Sequence, residues 1–185
     1  MKGDFMEKKN PIIFVIYGKA RSGKSTITEY IKEYYQSKNL KAIDLMYAES
    51  IKNYAKKIIN WDGKEETKPR DFLQQLGTEI IRNKIDSNFF INRMLQDIEV
   101  YSYFYDVIII TDARLKQEIE IPYKKYEKVI RIKIEGNNSD LTDKQKQHIT
   151  ETALNNYDEY EYKIINNGTL EQLKNKVNNI LDEVK

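Results

Sequence analysis

Gly18-Lys19-Ala20-Arg21-Ser22-Gly23-Lys24-Ser25 reads G-x-x-x-x-G-K-S, and its flanks supply the context such a loop needs. Before it stand Ile12-Ile13-Phe14-Val15-Ile16-Tyr17, an apolar run of the kind that forms a strand buried on both faces. After it, Ile27, Tyr30, Ile31 and Tyr34 recur on one helical face. Gly18 and Gly23 allow the tight turn that aims successive backbone N–H groups at an anion. Lys24 adds a cation for terminal phosphates, and the Ser25 hydroxyl stands at a helix N-terminus, where it is suited to Mg²⁺. Residues 18–26, Thr26 included, are therefore the expected nucleotide-binding loop. A plain glycine turn would need neither Lys24 nor Ser25.

Outward from this loop, strand-like and helix-like segments alternate, the signature of an α/β fold with a parallel sheet flanked by helices. Further strands are expected at residues 41–47, 106–112, 128–135 and 162–165. Residues 51–59 form a helix with Ile51, Tyr54, Ala55, Ile58 and Ile59 inward, and residues 89–104 form another. Pro69 opens a third, with Phe72, Leu73, Leu76 and Ile80 as its apolar face. Val129, Ile132 and Ile134 are expected mostly on one side of their strand. Thr169 and Gln172 form a capping box for the last helix, on which Leu170, Leu173, Val177, Ile180 and Leu181 face inward.

Composition narrows the class. The 185 residues suit a single domain, and 40% hydrophobic residues argue against disorder. A net charge of +2 supplies no basic field for nucleic acid. With no cysteine there are no disulfides, which fits a reducing, cytoplasmic setting. The N-terminus lacks an apolar signal core, and no apolar run is long enough to span a membrane.

Two further clusters carry chemistry. Asp112 ends an apolar strand, where open α/β sheets bind ligands. There it either holds Mg²⁺ beside Ser25, directly or through water, or caps the next helix. Arg114 either reaches a transferring phosphoryl group or pairs with Glu118 four residues on. In the third helix Arg70, Gln74, Gly77 and Thr78 line a polar stripe, with Gln75 and Arg82 beside it, offering a phosphate fork and amides for a base edge. Glu79 and Asp86 are in reach of Arg82 along the helix. Gly77 costs about 1 kcal/mol relative to alanine in a helix, so a close neighbour is expected at its backbone. Asn83-Lys84-Ile85-Asp86 spells N-K-x-D, but it ends a helical pattern and no D-x-x-G accompanies it, so it is not read as a guanine site.

The chain resembles the deoxynucleoside monophosphate kinases over residues 12–173. The likeness rests on Gly18–Ser25, Tyr47-Ala48-Glu49-Ser50-Ile51-Lys52, Arg70-Asp71-Phe72-Leu73-Gln74-Gln75-Leu76-Gly77-Thr78, Thr111-Asp112-Ala113-Arg114 with Glu118, His148-Ile149-Thr150-Glu151, and Ile165-Asn166-Asn167-Gly168-Thr169-Leu170. It implies a P-loop NTPase-type, three-layer fold with a five-stranded parallel sheet. It also implies transfer of the ATP γ-phosphoryl to a (deoxy)nucleoside 5′-monophosphate with Mg²⁺. Lys24, Arg114 and Asp112 would be catalytic. Arg70, Gln74, Gln75, Thr78 and Arg82 would bind the acceptor within a helical region spanning residues 45–105. Residues 136–150 would form a lid whose cations are Lys144 and Lys146, since it has no arginine. Two departures stand out: Phe89 or Phe90 where the family often has Trp, and Thr150 where it has serine. His148 is either a surface helix residue or one that orders the acceptor site. Two other readings remain: a small-molecule kinase with a phosphomevalonate-like acceptor, and a non-enzymatic nucleotide switch. A homodimer is left open.

Overall fold

The computed structural model describes residues 7–136, 153–154 and 156–184. The expected lid, His148 and Thr150 lie outside them, apart from Gly136. Among the described residues five parallel strands form one sheet in the order β2-β3-β1-β4-β5: β1 Ile12–Tyr17, β2 Ala42–Leu45, β3 Val107–Ala113, β4 Val129–Gly136 and β5 Tyr162–Asn166. The apolar runs in β1 and β3 are continuous because both faces are covered. Ile13, Val15, Tyr17, Ile108 and Ile110 face one core, whereas Phe14, Ile16, Val107 and Ile109 face the other. The second core is closed by α1 Lys24–Ser37 and by α6 Leu170–Glu183. The first lies under α2 Glu49–Ile58, α4 Phe89–Tyr101 and α5 Lys116–Lys125. Among the described residues no helix is long and apolar enough to cross a membrane.

Several local readings change. Val129 belongs to the first core, while Ile132 and Ile134 belong to the second. An odd spacing along a strand switches faces. On α2 only Ile51 and Ala55 are buried; Tyr54 and Ile58 are exposed, as is Ile59 just past its end, so the helix offers the core a narrow stripe. On α6 Leu173, Val177 and Leu181 are buried but Leu170 is exposed in the first turn. There the Thr169 hydroxyl accepts from Gln172 N and the Gln172 amide returns the bond, so the expected capping box is present.

The third helix differs in kind. It starts after Pro69 as α3 Arg70–Gln74 and continues as a π-helix over Gln75–Ile85. Bonding from i to i+5 widens the turn. The buried residues are thus Leu76 and Ile81 (3% exposed), five apart, and Ile80 (40% exposed) turns outward. Gly77 faces α2: a Cβ there would lie 2.7 Å from Ile51 Cδ1. The close neighbour is found, but Gly77 leaves the exposed stripe of Gln74 and Gln75.

Helix α5 carries Pro122 inside it. Proline has no N–H for the carbonyl four residues back, which is that of Glu118. That carbonyl instead accepts the Tyr47 hydroxyl at 2.6 Å. Helix α5 is thereby pinned to the loop after β2.

Candidate active site

The loop between β1 and α1 is held by its neighbours' backbone. Gly18 has φ 150° and Gly23 φ 105°. A Cβ on Gly18 would lie 2.2 Å from the Ile134 carbonyl oxygen, and one on Gly136 would lie 2.8 Å from the Ser22 oxygen, so β4 and the loop touch through glycines. Asn166 at the end of β5 donates its side-chain amide to Ser22 O at 2.9 Å. Arg21 takes a left-handed conformation with φ 59°, a strain that ordered loops carry where function requires it. Lys24 Nζ folds back onto Gly18 O (2.8 Å) and Lys19 O (2.6 Å). Burial pushes its ammonium down to about 8, Arg114 adds to the shift and Asp112 opposes it. Ser25 is exposed in the first helical turn and Thr26 is half-buried. Lys19, Ala20 and Ser22 complete the loop, Ser22 buried and Lys19 exposed.

One strand over, Asp112 near the end of β3 accepts from Tyr47 N at 2.7 Å and from Ala48 N at 3.0 Å. Its first task is therefore to anchor the β2–α2 loop, and it does not cap α5. Burial pushes its carboxyl up, against the two N–H donors and the charges of Lys52 and Arg114. Each oxygen keeps a second lone pair. Together with the Ser25 hydroxyl, that donor set suits Mg²⁺, which keeps water and phosphate as most of its ligands.

Glu118 is the residue whose role sequence reasoning underrated. It is 2% exposed. Its Oε2 accepts from the backbone N–H of Arg114 (2.8 Å) and of Leu115 (3.1 Å). Its Oε1 takes Arg82 Nη2 at 2.9 Å. Neither Glu79 nor Asp86 holds Arg82; Glu118 does, and the guanidinium also stacks 4.7 Å over the Phe90 ring. Thus Glu118 fixes the turn that carries Arg114 and ties the π-helix to it. Burial raises its carboxyl, and the Arg114 and Arg82 bonds pull it back down. The motif-like spacing of Arg114 and Glu118 was the available signal, though the bond it makes is to the backbone.

Arg114 is half-buried. Burial lowers its guanidinium; Asp112 and Glu118 offset this and the charge of Arg70 adds to it. Arg114 thus lies between Lys24 of the phosphate loop and Arg70 of α3, with Asp112 and Glu118 as the acids beside it. Arg70 itself pairs with Glu65 at the surface. Gln74 and Gln75 are exposed and Thr78 is half-buried.

A family model described as deoxynucleotide monophosphate kinase matches residues 40–177. The chain belongs to this family. The match takes in Asp112, Arg114, Glu118 and the helical segment 70–85, while the phosphate loop precedes it. Among solved structures, APS kinase of Mycobacterium tuberculosis in complex with AMPPNP and APS is similar at TM-score 0.56 and 9% identity, over 94% of this chain and 99% of that one. A sugar kinase from Janibacter superposes at TM-score 0.56 and 13% identity, over 93% and 95%. Shikimate kinase of Aquifex aeolicus does so at 0.51 and 14%, over 93% and 97%. No curated protein matches significantly in sequence. Family and fold together make this chain a P-loop kinase, a phosphotransferase.

Proposed function

We propose that this deoxynucleotide monophosphate kinase family member transfers the γ-phosphoryl of ATP to a (deoxy)nucleoside 5′-monophosphate. The observation that carries the reading is the placement of Arg114. It lies within the electrostatic reach of Lys24 on the donor loop and of Arg70 on α3. Like charges brought this close on separate elements favour a polyanion between them.

In the proposed step an oxygen of the acceptor 5′-phosphate attacks Pγ and the bond from Pγ to the β-bridging oxygen breaks. ADP leaves with that electron pair, and the product is the nucleoside diphosphate. A phosphate monoester has its second pKa near 6 and is mostly dianionic at neutral pH, so the nucleophile needs no base. That suits a site whose groups position and neutralise. Lys24 would leave the Gly18 and Lys19 carbonyls for the donor's terminal phosphates. Arg114 would bridge donor and acceptor, Arg70 would hold the acceptor phosphate, and Gln74, Gln75 and Thr78 would meet the base. Arg82 is committed to Glu118 and acts through it as a positioning residue. Ser25 would hold Mg²⁺ directly and Asp112 through water. When bound, the ion neutralises charge between the β- and γ-phosphates.

The test is Mg²⁺-dependent ADP release from ATP with each common (d)NMP, and with phosphomevalonate as contrast. Turnover of at least one nucleotide and none of phosphomevalonate is expected. A folded protein that binds ATP and turns over no nucleotide overturns the reading.

A further inference from the structure

Five lysines among the described residues are half-buried: Lys24, Lys32, Lys52, Lys68 and Lys133. Three of them spend their charge on a carboxylate, Lys32 on Asp44 at 3.0 Å, Lys68 on Glu65 at 2.9 Å and Lys133 on Asp158 at 2.5 Å. Two have no carboxylate at ion-pair distance among the described residues. One is Lys24, the cation of the phosphate loop. The other is Lys52, whose hydrogen-bond partner is the Met46 thioether, 3.6 Å from Nζ. Sulfur of this kind is a weak acceptor, so the ammonium has no strong hydrogen-bond acceptor of its own, and Asp112 is the acid its charge reaches. Desolvating a charge without a matching partner is costly.

Its position gives that cost a purpose. Lys52 lies one turn into α2, with its N–H bonded to Ala48 O at 3.0 Å. A helical side chain runs back toward the N-terminus, and this one returns to Met46, the residue before the Tyr47–Ala48 pair that grips Asp112. In the sheet, β3 separates β1 from β2. The donor loop follows β1, Asp112 and Arg114 sit at the end of β3, and Lys52 stands in the first turn of the helix after β2. Lys24 and Lys52 therefore flank the β3 end from opposite sides. The field of Lys52 reaches Asp112, consistent with that placement.

We propose that Lys52 is a phosphate ligand on the acceptor side, exchanging the Met46 sulfur for an acceptor phosphate oxygen when substrate enters. It adds to Arg70 a second cation from the β2–β3 segment, and it leaves the donor to Lys24. The assignment rests on the kinase reading above for the identity of the acceptor, though not for the anion site itself.

The decisive variant is Lys52→Met, which keeps length and removes charge, with Lys52→Arg as the conservative partner and Lys56→Met, exposed on the same helix, as control. Lys52→Met is expected to raise the acceptor KM at least about tenfold, the worth of one charge-assisted hydrogen bond. The dissociation constant for ATP and the melting temperature should stay at wild-type values, Lys52→Arg should recover much of the loss, and Lys56→Met should change nothing. An unchanged acceptor KM, or an ATP affinity weakened as much as the acceptor KM, overturns the proposal. A second measurement does not depend on turnover: titration calorimetry of inorganic phosphate into the ADP-saturated protein. Phosphate binding weakened in Lys52→Met supports the site even if no nucleotide is phosphorylated, in which case only the kinase reading falls. Binding equal to wild type overturns the site.

Discussion

Gly18 and Gly23 are hemmed in by the Ile134 carbonyl and the Asn166 amide, and the loop between them is pressed against β4 and β5. At the same end of the sheet, Arg70, Gln74 and Gln75 project from a helix surface, and the described ion pair of Arg70 is with Glu65. The proposed donor half is shaped by backbone against backbone, and the proposed acceptor half carries side chains on elements tied together by Glu118 and Asp112. Backbone cradles tolerate little change and fit the invariant part of a substrate, its phosphates. Side chains reset more easily and suit the part that differs from one acceptor to the next.

The sharpest attempt to break this contrast is Lys24→Ala. Removing a cation aimed at the transferring phosphoryl group costs about 3 kcal/mol or more, so kcat should fall at least roughly a hundredfold. Melting temperature should hold, because the side chain bonds only to its own loop. Near-normal turnover would remove the donor role from this loop. A pH series sharpens the same point. Because the Lys24 ammonium titrates near 8, raising pH through that value deprotonates it and takes away the charge ATP needs. The dissociation constant for ATP should be flat below about 8 and rise above it, with proton uptake on binding in that upper range.

Next in size is a stability comparison in the acceptor half. Ile81→Ala should cost roughly 2–4 kcal/mol and Ile80→Ala much less, read by denaturant unfolding. Equal costs would mean that the segment packs with the ordinary helical period. Arg70→Ala follows, raising the acceptor KM about tenfold with little change in the KM for ATP. Equal effects on both substrates would point to general structural loss. Smallest is Thr169→Ala, which deletes the cap of α6 and should cost about 1 kcal/mol without altering either KM.

What could be read before the structure divides along the same line. The phosphate loop, β1 and β3 were legible because long apolar runs and paired glycines have few other uses. The Thr169–Gln172 box was legible because it is local. The acceptor half was harder for stated reasons. A 3.6-residue period selects Ile80, and only the wider π turn selects Ile81. Helix α5 has no sequence expectation behind it, and Pro122 inside it is accommodated because Tyr47 supplies the bond the proline removes. Asp112 stood out by its place at a strand end, yet its partners, Tyr47 N and Ala48 N, are long-range backbone donors that no local pattern announces. Nothing in the sequence around Lys52 singles it out from the other lysines. Its distinguishing mark, a half-buried ammonium facing sulfur, exists only in three dimensions.

The Asn166 amide that steadies Ser22 comes from the last strand, and β4, which closes on Gly18, also follows most of the chain. During synthesis the loop emerges early but its supports arrive late. A nascent chain that has released β1 and α1 holds the residues for ATP without the walls that shape them. Nucleotide capture is then expected only of the nearly finished polypeptide, since a chain stalled on the ribosome short of β5 lacks the Asn166 support for Ser22.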